Sequence, residues 1–143
     1  YIVRGISLAV DTRGGVHIVY VVLNTSQTIL ELRYAQNVSG TWTIETIASA
    51  DSYFSQFRYS SLSLDAAGKA HVSYYACHES HYICDYRELR YASNSSGTWH
   101  FSAIDVDKDI TSTDIAVDSQ GKAHIVYSAM PRFYFFLRYA SNK

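Results

Sequence analysis

Residues 11–20, Asp-Thr-Arg-Gly-Gly-Val-His-Ile-Val-Tyr, carry a spaced pattern that returns at residues 65–74 and 118–127. In each copy, glycine, histidine and tyrosine follow an aspartate at intervals of three residues. Successive aspartates lie 54 and 53 residues apart (65 − 11 and 118 − 65). A second phrase, Leu-Arg-Tyr-Ala, follows the copies at residues 32–35, 89–92 and 137–140. A regular period of this length predicts tandem copies of one structural unit.

Within each unit, apolar and polar residues alternate with a period of two, as Leu32 and Tyr34 do around Arg33. This alternation, with many Val, Ile, Thr and Tyr residues and a single proline, Pro131, predicts β-strands. Tight-turn sequences such as residues 12–15 and 37–40 separate them. The predicted strands lie near residues 6–11, 16–23, 30–36, 41–48, 61–65, 70–76, 87–93, 98–104, 114–118, 123–129 and 136–141.

Four antiparallel strands in a unit of about 50 residues describe one blade of a β-propeller, which buries its faces against neighbouring blades. The sequence therefore predicts an all-β fold, a partial β-propeller of about three four-stranded antiparallel blades. Residues 1–143 form a single propeller segment with blades at about 6–49, 60–104 and 113–143. The last blade is expected to lack its outer strand.

The composition excludes several classes of function. The 143 residues are 48% hydrophobic and 15% aromatic, and 12 basic and 13 acidic residues give a net charge of −1. This balance gives no charged surface for nucleic acid or an anionic membrane. No apolar run approaches the roughly 18 residues of a membrane-spanning helix. The sequence thus predicts no nucleic-acid partner, no membrane association and no cofactor.

The units resemble the repeats of bacterial β-propellers of the BNR or Asp-box type, a group that includes sialidase-like and lectin-like proteins. The resemblance covers nearly the whole chain through Asp-x-x-Gly-x-x-His and through Gly-Thr-Trp at residues 40–42 and 97–99. The Asp-box itself, Ser-x-Asp-x-Gly-x-x-Trp, has one residue fewer between Asp and Gly and has Trp in place of His. The resemblance implies a propeller whose function concerns glycans.

Residues present in every unit are explained most simply by what every blade needs. An aspartate that ends the first strand can accept hydrogen bonds from turn amides, and a half-buried histidine can bridge strands. A tryptophan at the start of an outer strand can cover a seam between blades. The predicted structural residues are Asp11, His17, Asp65, His71, Asp118, His124, Trp42 and Trp99. The alternative, three equivalent metal or catalytic histidine sites, requires copies that blade geometry keeps apart.

The short repeated turns share one end of the antiparallel blades, so the segments that differ between units gather at the other end. Variable segments on a rigid scaffold usually carry binding residues. Their many aromatic rings can stack on carbohydrate, anchor a protein partner, or pack the loops and a subunit contact. The candidate ligand-binding residues are Tyr53, Phe54, Phe57, Tyr59, His78, His81, Tyr82, Tyr86, Arg132 and Tyr134.

Cys77 and Cys84 are the two cysteines of the chain and bracket a segment that contains His and Glu. We expect them to form a disulfide, which would suit a secreted or periplasmic protein. Two free thiols or a zinc site are the alternatives, but the order of residues matches no common zinc motif. No metal site is therefore predicted.

A glycosidase needs two carboxylates that converge near the axis of the propeller. The variable segments hold several acidic residues, but no motif connects them, so the sequence predicts no catalytic residue. These acids are Asp51, Glu79, Asp105, Asp107 and Asp109.

The leading functional hypothesis is a non-enzymatic binding module whose ligand is a glycan. A protein-interaction or structural propeller segment and a glycosidase-like hydrolase are the alternatives. Propellers have four to eight blades, so three blades leave the ring open. We expect two chains to close a six-bladed ring as a homodimer, with residues 1–5 adding a strand to the partner's last blade. A fragment of a longer propeller is the competing interpretation.

Overall fold

The computed structural model describes residues 2–24, 29–50, 57–80, 83–107, 110–129 and 136–142, with the backbone alone at positions 24, 29, 50, 58, 78–80, 83–86 and 107. This part of the chain forms eleven β-strands and no helix, so it contains no helix that could cross a membrane. The strands are β1 (Ile2–Val10), β2 (Val16–Asn24), β3 (Ile29–Gln36), β4 (Thr43–Ala50), β5 (Phe57–Leu64), β6 (Ala70–Ser80), β7 (Ile83–Ser93), β8 (His100–Asp107), β9 (Ile110–Val117), β10 (Ala123–Ala129) and β11 (Phe136–Ser141).

The strands form three antiparallel sheets, and each sheet follows chain order. The first blade consists of β1–β4, the second blade of β5–β8, and the third blade of β9–β11. The first strands of successive blades, β1, β5 and β9, lie against one another. The three sheets do not close into a ring, and the prediction of an all-β partial propeller with an incomplete last blade is confirmed.

The first strand is longer than the sequence pattern predicts. β1 begins at Ile2, and its residues 2–4 pair with residues 21–23 of β2. A bulge between Arg4 and Ser7 interrupts the pairing, and Gly5 takes a φ of 55° there. Residues 2–4, which the sequence analysis assigns to a partner's last blade, pair within this chain with β2 of their own blade.

The hairpin between β6 and β7 is also longer than predicted. The described chain between the predicted strands at 70–76 and 87–93 is also strand, because β6 runs to Ser80 and β7 starts at Ile83. The neighbouring strands do not extend as far: β5 pairs with β6 up to Ala76, and β8 begins to pair with β7 at Arg87. Residues 78–80 and 83–86 therefore form a ribbon of two paired strands that extends beyond the sheet. Cys77 at its base is in a disulfide bond, and Cys84 is the only other cysteine of the chain.

The repeated aspartates close the tight turns that join the first two strands of each blade. Asp11 Oδ1 accepts hydrogen bonds from the amides of Arg13 at 2.8 Å and Gly15 at 2.7 Å. These two hydrogen bonds hold the pKa of Asp11 below its ordinary value. Asp65 and Asp118 bind the equivalent amides at 2.8–2.9 Å. Gly68 has a φ of 76° in the second turn, a conformation that residues with a Cβ avoid.

The repeated histidines connect these aspartates to the tyrosines of the Leu-Arg-Tyr-Ala phrase. In the second blade, His71 Nδ1 lies 2.6 Å from the Tyr91 hydroxyl, and His71 Nε2 lies 3.6 Å from Asp65 Oδ2. The same arrangement joins Asp11, His17 and Tyr34 in the first blade and Asp118, His124 and Tyr139 in the third. Each set lies within one blade and ties its second strand to its third.

Two apolar seams hold the blades together. In the first seam, between the first and second blades, Val21 and Leu32 face Leu62 and Val72 from the opposite blade, and all four side chains are buried. In the second seam, between the second and third blades, Leu89 packs with Ile110, Ile115 and Ile125. Each blade has apolar residues that it can bury only against a neighbouring blade. Burial of these residues in the two seams therefore supplies the main stabilisation of the unit.

The two tryptophans occupy equivalent positions but different surroundings. The Trp99 ring packs across the first seam against Tyr34, with ring centroids 5.4 Å apart at an interplanar angle of 75°. Trp42, one unit earlier, is 53% exposed, because among the described residues no other blade lies against that side of the first blade. Trp42 therefore covers no seam within the chain, contrary to the sequence-based expectation.

Candidate functional site

The loop end is the end of the blades opposite the tight turns, and it is where the sequence places a binding surface. Most of the candidate residues lie outside the described part of the chain: Tyr53, Phe54, His81, Tyr82, Arg132 and Tyr134. The backbones of His78 and Tyr86 lie opposite each other in the ribbon of the second blade, but their side chains are outside the described part. Phe57 and Tyr59 are the two candidates whose side chains the structure describes.

Phe57 is a core residue. Its side chain is 6% exposed and its ring centroid lies 5.9 Å from that of Tyr74 in the first seam. The inclusion of Phe57 among ligand-binding residues does not hold, because β5 starts at Phe57 and directs its ring between the blades.

Tyr59 has the opposite character, since its side chain is 51% exposed. It lies in a bulge of β5 between Arg58 and Ser61, where the first blade has the Gly5 bulge of β1. Its φ of 47° is the only positive value among the non-glycine residues described. A side chain in this left-handed conformation costs about 1–2 kcal/mol relative to the usual backbone. The glycine found at this position in the first blade would avoid that cost.

The neighbouring residues hold the Tyr59 backbone in place. The next residue, Ser60, donates a hydrogen bond from its hydroxyl to the carbonyl oxygen of Gly5 at 2.5 Å. This bond connects the two bulges across the first seam. Strained residues that their surroundings fix in this way are common at ligand-binding sites. The bulge therefore identifies Tyr59 as a functional candidate on independent grounds.

Tyr59 belongs to a small cluster with Tyr75 and Arg87, which we call the Tyr59 cluster. The rings of Tyr59 and Tyr75 are 5.5 Å apart between centroids and tilted by 37°. The Arg87 guanidinium carbon lies 5.8 Å from the centroid of the Tyr75 ring, within cation–π range. Arg87 Nη1 also donates a hydrogen bond to the carbonyl oxygen of Ile110 at 3.1 Å. The cluster thus joins the second blade to the start of the third at the loop end.

The Tyr59 cluster combines an exposed aromatic ring with hydrogen-bond donors. An exposed aromatic ring can stack on the apolar face of a sugar, and its hydroxyl can exchange hydrogen bonds with sugar hydroxyls. Arg87 is only partly buried and carries five N–H donors, of which the contact to Ile110 uses one. Because Tyr75 is 4% exposed and fixed in the second seam, the cluster has a rigid base.

A second polar group, centred on Asp105 of β8, lies in the same seam near the loop end. Asp105 Oδ2 accepts hydrogen bonds from the Tyr127 hydroxyl at 2.7 Å and from Arg138 Nη1 at 2.8 Å. Burial acts to raise the pKa of Asp105, but the hydrogen bonds from Tyr127, Arg138 and the Val106 amide outweigh it, and the pKa lies below its ordinary value. Asp105 is therefore a paired carboxylate that connects two blades.

This pairing has a cause in the sequence. In the first and second blades, the equivalent arginines pair within the blade, Arg33 with Glu31 and Arg90 with Glu88, at 2.5 Å each. The third blade has Phe136 where the other blades have the glutamate. Arg138 consequently pairs with Asp105 of the second blade.

The side chains of the acidic residues named from the sequence are mostly outside the described part of the chain. Asp105 is the only one of the five candidate acids whose side chain is described, and it is held by Tyr127 and Arg138. Among the described residues, no group of three or more His, Cys, Asp or Glu side chains is arranged to hold a metal ion.

Comparison with known proteins supports the fold. No protein-family model matches the chain, and no curated protein matches it either. Among solved structures, a fucose lectin from Kordia zhangzhouensis in complex with methyl-fucoside has a TM-score of 0.53 and 17% identity, with 96% of this chain and 97% of the lectin covered.

Two further structures are similar over part of their length. An endo-arabinase from Bacteroides thetaiotaomicron has a TM-score of 0.62 and 11% identity, and the match covers 100% of this chain and 57% of that enzyme. MPT-4, a mannose phosphorylase from Leishmania mexicana, has a TM-score of 0.53 and 5% identity, with 98% and 42% covered. At these identities the likeness establishes a propeller-like fold.

Sequence reasoning missed two members of the Tyr59 cluster. Tyr75 and Arg87 occupy positions that hold Val21 and Leu30 in the first blade. Aligning the repeats position by position would have identified both residues, because each replaces an aliphatic residue of the first blade. The same comparison would have shown Tyr59 at the position of Gly5.

Proposed function

We propose that this chain is a non-enzymatic glycan-binding module and that the Tyr59 cluster contacts the sugar. The observation that carries the proposal is the exposed Tyr59 side chain, held in a left-handed bulge where the first blade has glycine. The similarity to a fucose lectin of nearly equal length supports it. The repeated Asp-x-x-Gly-x-x-His and Gly-Thr-Trp phrases support a finer kinship with the BNR or Asp-box propellers.

A glycan array, followed by calorimetry with the best ligand and with methyl-fucoside, tests this proposal. Tyr59→Ala removes the exposed ring, and we expect it to weaken binding about tenfold or more, which corresponds to about 1.4 kcal/mol. Phe101→Ala is the matched control, because Phe101 is 49% exposed but lies at the turn end of β8. Glycan binding that tolerates Tyr59→Ala, or is equally sensitive to Phe101→Ala, contradicts this site.

A substitution with glycine separates binding from folding at the same position. Tyr59→Gly should lose binding as Tyr59→Ala does, since both lack the ring. Because glycine accepts a φ of 47° without a Cβ clash, Tyr59→Gly should be more stable than Tyr59→Ala by about 1 kcal/mol. Urea denaturation of both variants measures this difference.

A glycosidase-like hydrolase is the second candidate, because the endo-arabinase gives the higher TM-score. Asp105 is the described carboxylate nearest to this role, but its pairing with Arg138 and Tyr127 and its low pKa suit a permanently ionised group rather than a general acid. Turnover of chromogenic arabinosides or other glycosides, abolished by Asp105→Asn in a folded protein, would favour the hydrolase. An array without any hit and no turnover would favour the third possibility, a protein-interaction or structural segment.

A further inference from the structure

The outer sides of the first and third blades expose apolar residues that the internal seams bury. We call the uncovered side of the first blade the first face and that of the third blade the last face. Leu8 of the first face is 58% exposed, whereas its equivalent in the second blade, Leu62, is 6% exposed. Leu137 of the last face is 81% exposed, whereas Leu32 and Leu89 at the same position are 0% exposed.

The same contrast holds for the aromatic residues of the repeat. Tyr34 is 1% exposed because Trp99 of the next blade packs on it, whereas Tyr139, at the same position of the third blade, is 60% exposed. Trp42, equivalent to Trp99, is 53% exposed on the first face. The first face therefore exposes Trp42, which lacks the tyrosine that packs on Trp99. The last face exposes Tyr139, which lacks the tryptophan that packs on Tyr34.

The polar contacts of the two internal seams also repeat from one seam to the next. Across the first seam, the Leu62 amide donates to Ser7 Oγ at 3.1 Å, and across the second seam the Ile115 amide donates to Ser61 Oγ at 3.3 Å. Leu8 provides the equivalent amide on the first face. Asp114 stands at the position of Ser7 and Ser61 in the third blade, where its Oδ1 accepts a hydrogen bond from the Ser61 hydroxyl at 2.5 Å across the second seam.

We infer that the first face of one chain docks on the last face of a second copy of this chain, through a seam built like the two internal ones. A two-fold axis relates the two chains, so the last face of each chain contacts the first face of the other. Two copies therefore close a ring through two identical seams. The ring has six blades, which is the only multiple of three within the usual four to eight. Trp42 packs on the Tyr139 of the partner copy, and this contact covers the third His-Tyr pair, His124 and Tyr139, as Trp99 covers the first.

Size-exclusion chromatography with light scattering on the 143-residue chain tests the closed dimer. We expect a single species of about 32 kDa, twice the 16.1 kDa of one chain. Leu137→Asp places a charge in the new seam and should give a folded species of half that mass. Leu8→Asp tests the opposite face in the same way and serves as a second variant if Leu137→Asp fails to fold. Val106→Asp is the control, because Val106 is 56% exposed on the outer strand of the second blade and belongs to neither end face.

Crosslinking distinguishes this pairing of faces from other dimers. A short bismaleimide should link chains of the Trp42→Cys, Tyr139→Cys double variant, and a mixture of the two single variants should link as heterodimers. In chromatography, three results would overturn the inference: a monomer at all concentrations, an open series of oligomers, or a dimer that neither Asp variant disrupts. In crosslinking, the inference fails if Trp42→Cys alone links as efficiently as the mixture of the two single variants. A failure to bind glycans has no bearing on it, because the docking faces do not include the Tyr59 cluster.

Discussion

The first seam has Ala48 at the position where the second seam has Asp105, since these residues pair with the equivalent leucines Leu32 and Leu89. In the second seam, Asp105 accepts a hydrogen bond from the Tyr127 hydroxyl. In the first seam, the equivalent Tyr74 hydroxyl is buried without a hydrogen-bond partner. The same backbone arrangement therefore supports two kinds of contact between blades. One is apolar and centred on Tyr34 and Trp99, and the other is polar and centred on Asp105.

The apolar seam should be the more sensitive to truncation. Tyr34→Ala removes a ring that is 1% exposed and that packs against Trp99 and contacts His17, and we expect the free energy of unfolding to fall by about 3–5 kcal/mol. Tyr34→Phe keeps the ring and should cost only about 1 kcal/mol. Urea denaturation measures both. A loss for Tyr34→Ala no greater than that for Asp105→Asn would reverse the ranking of the two seams.

The polar seam should respond next most strongly, through its central carboxylate. Asp105→Asn removes the charge that Arg138 and Tyr127 share, and we expect a loss of about 1.5–3 kcal/mol, the usual value for hydrogen bonds to a charged group. Glu45→Gln, which changes an exposed carboxylate on β4, is the control and should alter the urea midpoint little. If both substitutions have the same effect, the Asp105 contacts do not stabilise the second seam.

The two equivalent tyrosine hydroxyls provide a direct comparison of the seams. Tyr127→Phe breaks the bond to Asp105 and should cost about 1 kcal/mol. Tyr74→Phe should be neutral or slightly stabilising, because the hydroxyl it removes is buried without a partner. Thermal melts of the pair at one pH suffice, and equal losses would show that Tyr74 has an acceptor in solution.

The smallest expected effect is a dependence of stability on mildly acidic pH. Burial lowers the pKa of His71 from 6.5 in spite of nearby Asp65. The unfolded chain therefore binds a proton below about pH 6.5 that the folded chain resists, and the free energy of unfolding should fall as the pH drops from 7.5 towards 5. His71→Gln should flatten this slope in urea denaturation at several pH values. A slope that is unchanged in the variant would assign the effect to another group.

The low pKa of Asp105 has its consequence at more acidic pH. A carboxylate whose folded pKa lies below its unfolded value stabilises the fold above the unfolded pKa of 3.8, and this contribution disappears as the pH falls through the folded value. The loss in Asp105→Asn should accordingly be largest near neutral pH and should shrink in strong acid.

The fold could be predicted from the sequence because its determinants are local and repeated. The alternation of residues along each strand and the Asp-x-x-Gly turns are visible in the letters, and the turn amides bind Asp11, Asp65 and Asp118 as expected. Asn142 escaped notice although its Oδ1 accepts the Ala123 amide at 2.7 Å, just as Asn37 and Asn94 accept the equivalent amides.

The candidate site was harder to predict because it depends on departures from the repeat. Tyr59 was named for its aromatic character alone, and the feature that distinguishes it, a φ of 47°, has no sequence signature in a tyrosine. Phe57, two residues earlier, looked equivalent but points into the core, since neighbouring positions around a bulge do not follow simple alternation. The end of β6 was missed because residues 77–80, Cys-His-Glu-Ser, include none of the β-branched or aromatic residues that favour strands.

The ribbon of residues 78–80 and 83–86 makes the loop end sensitive to redox conditions. Among the described residues it has no third strand beside it, so its order depends on the hairpin itself and on the disulfide of Cys77. A reducing environment would therefore loosen the amides of this hairpin towards hydrogen exchange while those buried between blades stay protected. The geometry presented at that end of the molecule would then differ between an oxidising and a reducing compartment, with the rest of the scaffold unchanged.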